Sequence, residues 1–210
     1  MKIPGNIITG VILSNRNSEQ LAVNNSLLKI DDKTLIERLF ELLKQTFEQV
    51  IICTNEPELY NFIDAKKIKN LFPNFGTLAG IHSALTSTAA EKIFITSCDI
   101  PFLVKPLIDF LIEHKSGESI VIPSAKEKVE YLCGIYDRRL LPIVEKILND
   151  ISEAGSRNQH VKSSAFSLWN FVERIGADIV NVEFEKWYFN DLFFDINSPE
   201  DWEYAKEKLI

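Results

Sequence analysis

The residue pattern predicts an α/β fold of three layers, with helices packed on both faces of a mainly parallel sheet. Three observations carry that expectation. Short, continuously apolar runs recur along the chain, amphipathic segments of three- and four-residue spacing separate them, and the order strand, helix, strand appears twice in the first half.

Ile7 to Leu13 is β-branched and apolar and stops at Ser14-Asn15-Arg16-Asn17-Ser18, a cluster of turn formers, so it reads as a buried strand followed by a loop. From Lys33 the period changes: Leu35, Ile36, Leu39, Phe40, Leu43 and Phe47 mark an amphipathic helix that Asp31 or Asp32 would cap. Val50 to Thr54 is a second strand, and Pro57 opens a short helix through Tyr60 and Phe62. A helix-like Leu78 to Thr86 leads into a strand from Lys92 to Asp99, a helix from Val104 to His114 and a strand from Ser119 to Pro123. Tyr131 to Tyr136 supplies a further strand, and Leu140 to Asn149 a further helix. The polar stretch Ser152 to Ser164 reads as an excursion. Val180, Val182 and Phe184 alternate with more polar neighbours, as in a half-exposed strand near a sheet edge. Pro199, with Ser198 before it and Glu200 and Asp201 after it, starts the last helix, which runs to Leu209.

The chain has 210 residues, 46% apolar and 25% charged, with 8 Gly and 8 Pro, the composition of a folded domain, and no internal repeat or domain boundary interrupts it. One domain over residues 1–210 is expected. Thirty acidic against 23 basic side chains leave a net charge of −7, which disfavours nucleic acid and anionic membrane surfaces as partners. No apolar run reaches the roughly 20 residues of a membrane span. The three cysteines, Cys53, Cys98 and Cys133, lie far apart inside apolar segments, which fits free thiols in a cytoplasmic protein.

Ligands of parallel α/β sheets bind outside the carboxyl ends of the strands. The residues to inspect there are Ser14 to Asn25, Thr54 and Asn55, and Cys98-Asp99-Ile100-Pro101. A carboxylate at a strand end can hold a hydrated Mg²⁺, which makes Asp99 the metal-ligand candidate; the alternative is that Asp99 caps the turn after it. Gly76 and Gly80 sit four residues apart at the start of a predicted helix, where a backbone can approach a base or a phosphate, or where a plain turn needs them. His82, His114 and His160 show no metal-ligand spacing. Neither a G-x-S-x-G elbow, a G-x-G-x-x-G nor a P-loop is present. The aromatic run Trp187, Tyr188, Phe189, Phe193 and Phe194 could stack a ring or serve packing.

Four stretches together resemble the molybdenum cofactor guanylyltransferases: Ile8 to Leu13, Phe75 to Leu85 with its Gly-Thr-Leu-Ala-Gly, Cys98-Asp99-Ile100-Pro101-Phe102, and Asp195-Ile196-Asn197-Ser198-Pro199-Glu200-Asp201. The resemblance implies a Rossmann-like nucleotidyltransferase domain that moves GMP from Mg-GTP to a molybdopterin phosphate and releases pyrophosphate. It makes Asp99 the magnesium ligand and catalytic carboxylate. It places Leu13, Ser14, Asn15, Arg16 and Asn25 in the nucleotide loop with Asn70, Gly76 and Gly80 beside them, and it gives Asp195 and Asn197 to the second substrate. A monomer or small homo-oligomer with small-molecule partners is expected. The loop departs from the family form: its two glycines are Asn15 and Arg16, its arginine is Gln20 and its lysine is Asn25, while Asn70 stands for a carboxylate and Thr77 for a proline. Those departures keep two alternatives in view, a nucleotide-binding or scaffolding relative without catalysis, and a nucleotidyltransferase for another substrate.

Overall fold

The computed structural model describes residues 2–14, 24–73, 75–156 and 167–209. Its strands are β1 (Ile8–Leu13), β2 (Lys29–Ile30), β3 (Lys33–Thr34), β4 (Val50–Cys53), β5 (Lys66–Ile68), β6 (Lys92–Ser97), β7 (Ile120–Ala125), β8 (Lys128–Val129), β9 (Cys133–Asp137) and β10 (Asp178–Asn181). The helices are α1 (Leu35–Thr46), α2 (Gly76–Ser87), α3 (Lys105–Glu113), α4 (Leu141–Ser156), α5 (Leu168–Ile175) and α6 (Pro199–Leu209).

The main sheet runs β10-β7-β9-β6-β1-β4-β5, with β8 paired to β7. β1 pairs in parallel with both β4 and β6, and β10 with β7; β9 is antiparallel to both neighbours. The expected mainly parallel sheet is therefore present, with one reversed strand inside it. Side chains alternate across it: Ile8 and Ile12 face α1 and α3 with Leu43 and Leu107, whereas Val11 and Leu13 face α2, α4 and α5 with Leu78, Val144 and Phe171. A third cluster, Ile30, Leu35, Phe102, Ile196 and Ala205, joins the start of α1 to α6 and to the loop after β6. All three cysteines are buried and free. No described helix is long and apolar enough to cross a membrane.

Several local expectations change. Thr34, not Asp31 or Asp32, caps α1: its Oγ1 accepts from the Glu37 amide at 3.3 Å, and Glu37 Oε2 accepts from the Thr34 amide at 2.7 Å. This is a Thr-x-x-Glu capping box, and the Thr34 hydroxyl, donating to Glu37 Oε2 at 2.7 Å, and then the Thr34 amide hold the Glu37 carboxyl below its usual pKa. Asp31 and Asp32 instead form the turn of the small β2–β3 hairpin, Asp31 at φ 53°. The polar excursion expected from Ser152 begins inside α4, which continues to Ser156; residues 157–166, including His160, lie outside the described residues. β10 is an edge strand, as its alternation predicts. The aromatic run is used for packing at Trp187, which meets Phe110 at a 5.6 Å ring separation, and at Phe194, which meets Phe102 and Tyr204 at 5.9 and 5.0 Å.

Candidate active site

The carboxyl ends of β1, β4 and β6 bring Leu13, Ser14 and Asp99 to one edge of the sheet, and Asn25 joins them around a recess of about 10 Å³. Leu13 points to the α2 side. There a Cβ on Gly80 would lie 3.2 Å from Leu13 Cδ2 and 3.7 Å from Asn70 Oδ1, so glycine is what lets α2 approach the end of β1. Asn70 Oδ1 accepts from the Cys53 thiol at 3.1 Å, and its Nδ2 donates to Asn55 Oδ1 at 3.0 Å. Burial pushes the Cys53 pKa up to about 12, so its sulfur keeps the proton it donates. Gly76, the first residue of α2, adopts φ +62°, a left-handed conformation that any Cβ would strain.

Ser14 points to the opposite face and meets the Tyr60 hydroxyl at 2.6 Å. That hydroxyl also accepts from Asn24 Nδ2 at 2.8 Å and contacts Ser26 Oγ at 2.9 Å. Tyr60 is fully buried and ties Ser14 to Asn24 and Ser26. Asn25, buried as well, donates from Nδ2 to the Ile196 carbonyl at 2.8 Å. The Ile196 amide in turn donates to the Asp99 carbonyl at 2.9 Å. The backbone of one residue of the C-terminal stretch thus bridges the Asn25 side chain and the main chain of Asp99. Asn15 and Arg16 lie outside the described residues.

Asp99 is 2% exposed and also lines a second cavity of about 250 Å³, with Thr77, Lys128, Glu130, Trp169 and Asp195. Lys128 Nζ donates to Asp195 Oδ2 at 2.8 Å and to the Phe193 carbonyl at 3.0 Å, and lies 3.4 Å from Glu130 Oε2. Burial pulls the Lys128 pKa down, but its hydrogen bond to Asp195 and the charges of Asp195 and Glu130 outweigh that and leave it raised. Burial, then the charge of Asp195, raises the Glu130 carboxyl above its ordinary value. Asn197 is exposed and outside the cavity; its amide donates to Asp201 Oδ2 at 2.9 Å, beside the bond from the Ser198 amide that starts α6.

Asp99 is therefore shared by both recesses. Leu13, Ser14 and Asn25 border the first, Asp195 borders the second, and Asn70, Gly76 and Gly80 flank them along α2. Sequence reasoning missed Tyr60, Lys128, Glu130 and Trp169. Lys128 follows a two-residue hairpin turn, Lys126 and Glu127 at φ 48° and 64°, a conformation that normally announces itself with Asn or Gly. A larger cavity of about 610 Å³ runs along α1 and the β2–β3 hairpin and reaches neither Asp99 nor Lys128.

This arrangement has relatives. Residues 10–163 match the family model of the MobA-like NTP transferase domain. A protein of Clostridium perfringens strain 13, described as a probable molybdenum cofactor guanylyltransferase, is 33% identical over 195 residues, 92% of each chain. The molybdenum cofactor guanylyltransferase of Desulfosudis oleivorans is 33% identical over 144 residues, 68% of this chain and 71% of that one. The crystal structure of molybdopterin-guanine dinucleotide biosynthesis protein A from Archaeoglobus fulgidus superposes with a TM-score of 0.77 at 21% identity, over 96% of this chain and 98% of that one. The chain belongs to the MobA-like NTP transferases.

Proposed function

We propose that this chain transfers the GMP part of GTP to the phosphate of molybdopterin in molybdenum cofactor biosynthesis. The observation that carries the reading is the position of Asp99, a buried carboxylate at a strand end where the nucleotide-side recess and the Asp195 cavity meet. The family and the relatives' names support it. An oxygen of the acceptor phosphate attacks the α-phosphorus of GTP, and the bond from that phosphorus to the β-phosphate oxygen breaks as pyrophosphate leaves. No protein nucleophile is needed, so the protein's work is positioning and charge neutralisation.

Leu13, Gly80 and Asn70 form the wall for the nucleoside, with Ser14 and Asn25 beside it; the resemblance adds Asn15 and Arg16, which lie outside the described residues. Gly76 opens the amide-rich start of α2 toward the phosphates, where backbone N–H groups favour an anion. The donor set fits Mg²⁺: Asp99 is a buried carboxylate bordering both recesses, and Mg²⁺ needs only one or two carboxylates, filling its other positions with water and phosphate oxygens. Asp99 would hold it, and bound there it supplies charge neutralisation to the phosphate oxygens. Asp195 belongs to the acceptor side, while Asn197, which the resemblance also gives to the acceptor, stands outside that cavity. The three buried free thiols support a cytoplasmic setting.

The test is incubation with GTP, Mg²⁺ and molybdopterin. The dinucleotide should form with an equal amount of pyrophosphate; neither product appearing overturns the reading. A second reading, nucleotide binding without transfer, is favoured by Asn25, whose amide is engaged with Ile196 where the family form carries a free lysine. Calorimetry showing GTP binding in a protein that makes no product would select it.

A further inference from the structure

The 250 Å³ cavity carries a pairing that the nucleotide side does not use. Helix α5 turns Leu168, Phe171 and Val172 into the core, and these satisfy its packing. Trp169 stands off that buried face, 55% exposed, yet it lines the cavity together with Tyr131 and Lys128. Across the cavity Lys128 is not a free surface lysine. Asp195, Glu130 and the Phe193 carbonyl hold its ammonium in place, and the Asp195 oxygen at 2.8 Å occupies the distance at which a phosphate oxygen would sit. An exposed indole beside a fixed ammonium suits a ligand that is a flat ring at one end and an anion at the other.

We propose that this end of the cavity is the acceptor subsite: the planar ring of the acceptor stacks on Trp169, and its phosphate monoester exchanges with Asp195 for Lys128, which delivers it to the side of Asp99. Calling that ring a pterin rests on the transfer reading above. The subsite itself is assembled from residues of this chain, the hairpin lysine and the α5 tryptophan, that no motif of the resemblance includes.

The test is direct binding to the full chain, with GTP and molybdopterin titrated separately and Trp169→Ala, Trp169→Phe, Lys128→Met and Lys128→Arg compared with wild type. Trp169→Ala should weaken molybdopterin binding about tenfold, the scale of one lost aromatic stack, and Trp169→Phe should recover most of it. Lys128→Met should weaken molybdopterin as well, and Lys128→Arg should restore it. GTP affinity should hold through the series. Free pterin should lose affinity in Trp169→Ala alone, and inorganic phosphate in Lys128→Met alone. An unchanged molybdopterin constant in Trp169→Ala, or an equal loss of GTP and molybdopterin, overturns the subsite. If wild type binds molybdopterin while Trp169→Ala does so equally well, only the subsite falls; if wild type binds GTP but no molybdopterin, the acceptor assignment falls with it.

Discussion

The two sides of Asp99 are built on different principles. Toward β1, β4 and β5 the recess is small, and the polar side chains in and beside it are neutral and engaged within the fold: Ser14 with Tyr60, Asn70 with Cys53 and Asn55, and Asn25 with the Ile196 carbonyl. Toward β7, β8 and α5 the cavity is larger and charged, with Lys128 among Asp195 and Glu130, and an exposed indole at its edge. The first side offers shape through backbone and small residues. On the second side, two carboxylates, Asp195 and Glu130, hold one ammonium, and Asp99 borders the same cavity.

The hardest test of that contrast is its shared residue. Asp99→Asn should lower transfer by about 10²- to 10³-fold, the scale of removing one preorganised electrostatic group, with little change in melting temperature. Pyrophosphate release measures it, and activity within a few-fold of wild type would mean that the two recesses do not meet in the chemistry.

Gly134→Ala breaks the strand from which the charged side hangs. Its new Cβ would lie 2.5 Å from the Val121 carbonyl and 2.7 Å from Ile122, a clash with a neighbouring strand that cannot move aside. A loss of about 3 kcal/mol in urea unfolding is expected. On the other side, Tyr60→Phe removes the hydroxyl shared by Ser14, Asn24 and Ser26. Leaving those groups short of a partner should cost about 2 kcal/mol and weaken GTP more than the acceptor.

The smallest effects separate the sides by pH. His82, on α2, is 2% exposed, with no hydrogen-bond partner at either ring nitrogen among the described residues. Burial lowers its pKa, and Glu145 at 3.9 Å opposes this only in part. With a folded pKa below the unfolded one, its contribution is intact above about 6.5 and is lost as pH falls below that value. Glu130 works in the opposite sense. Its folded pKa is raised, so stability falls as pH rises from the unfolded carboxyl value through the folded one. Glu130→Gln should therefore raise the melting temperature at neutral pH, and replacing His82 by Leu should flatten the slope near pH 6; both are read by thermal melts across pH. A Glu130→Gln variant that melts lower would show that its pairing with Lys128 outweighs its burial.

The β1 side of Asp99 was the legible one. A strand that ends in turn formers, a Gly pair opening a helix and a Cys-Asp-Ile-Pro turn are local, and each carries its physical cause within a few residues. The charged side was not. The hairpin turn at Lys126 and Glu127 uses residues that rarely adopt positive φ, and α5, which is short, follows a polar stretch, so neither Lys128 nor Trp169 could be placed. The capping box at Thr34 and Glu37 was readable but was masked by two adjacent aspartates that also favour caps. Asn25 shows the opposite case. Its identity is plain in the sequence, whereas its partner is the carbonyl of Ile196, far along the chain.

By itself the sequence determined the α/β class, the strand that leads into the Asp99 turn and the burial of the three cysteines, because apolar period and strand-end position are set by neighbours in the chain. Only the tertiary structure decided that Ile196 joins Asn25 to Asp99 and that Lys128, Trp169 and Asp195 share a cavity. These residues come from separate segments, and only the order and direction of the strands bring them to one edge.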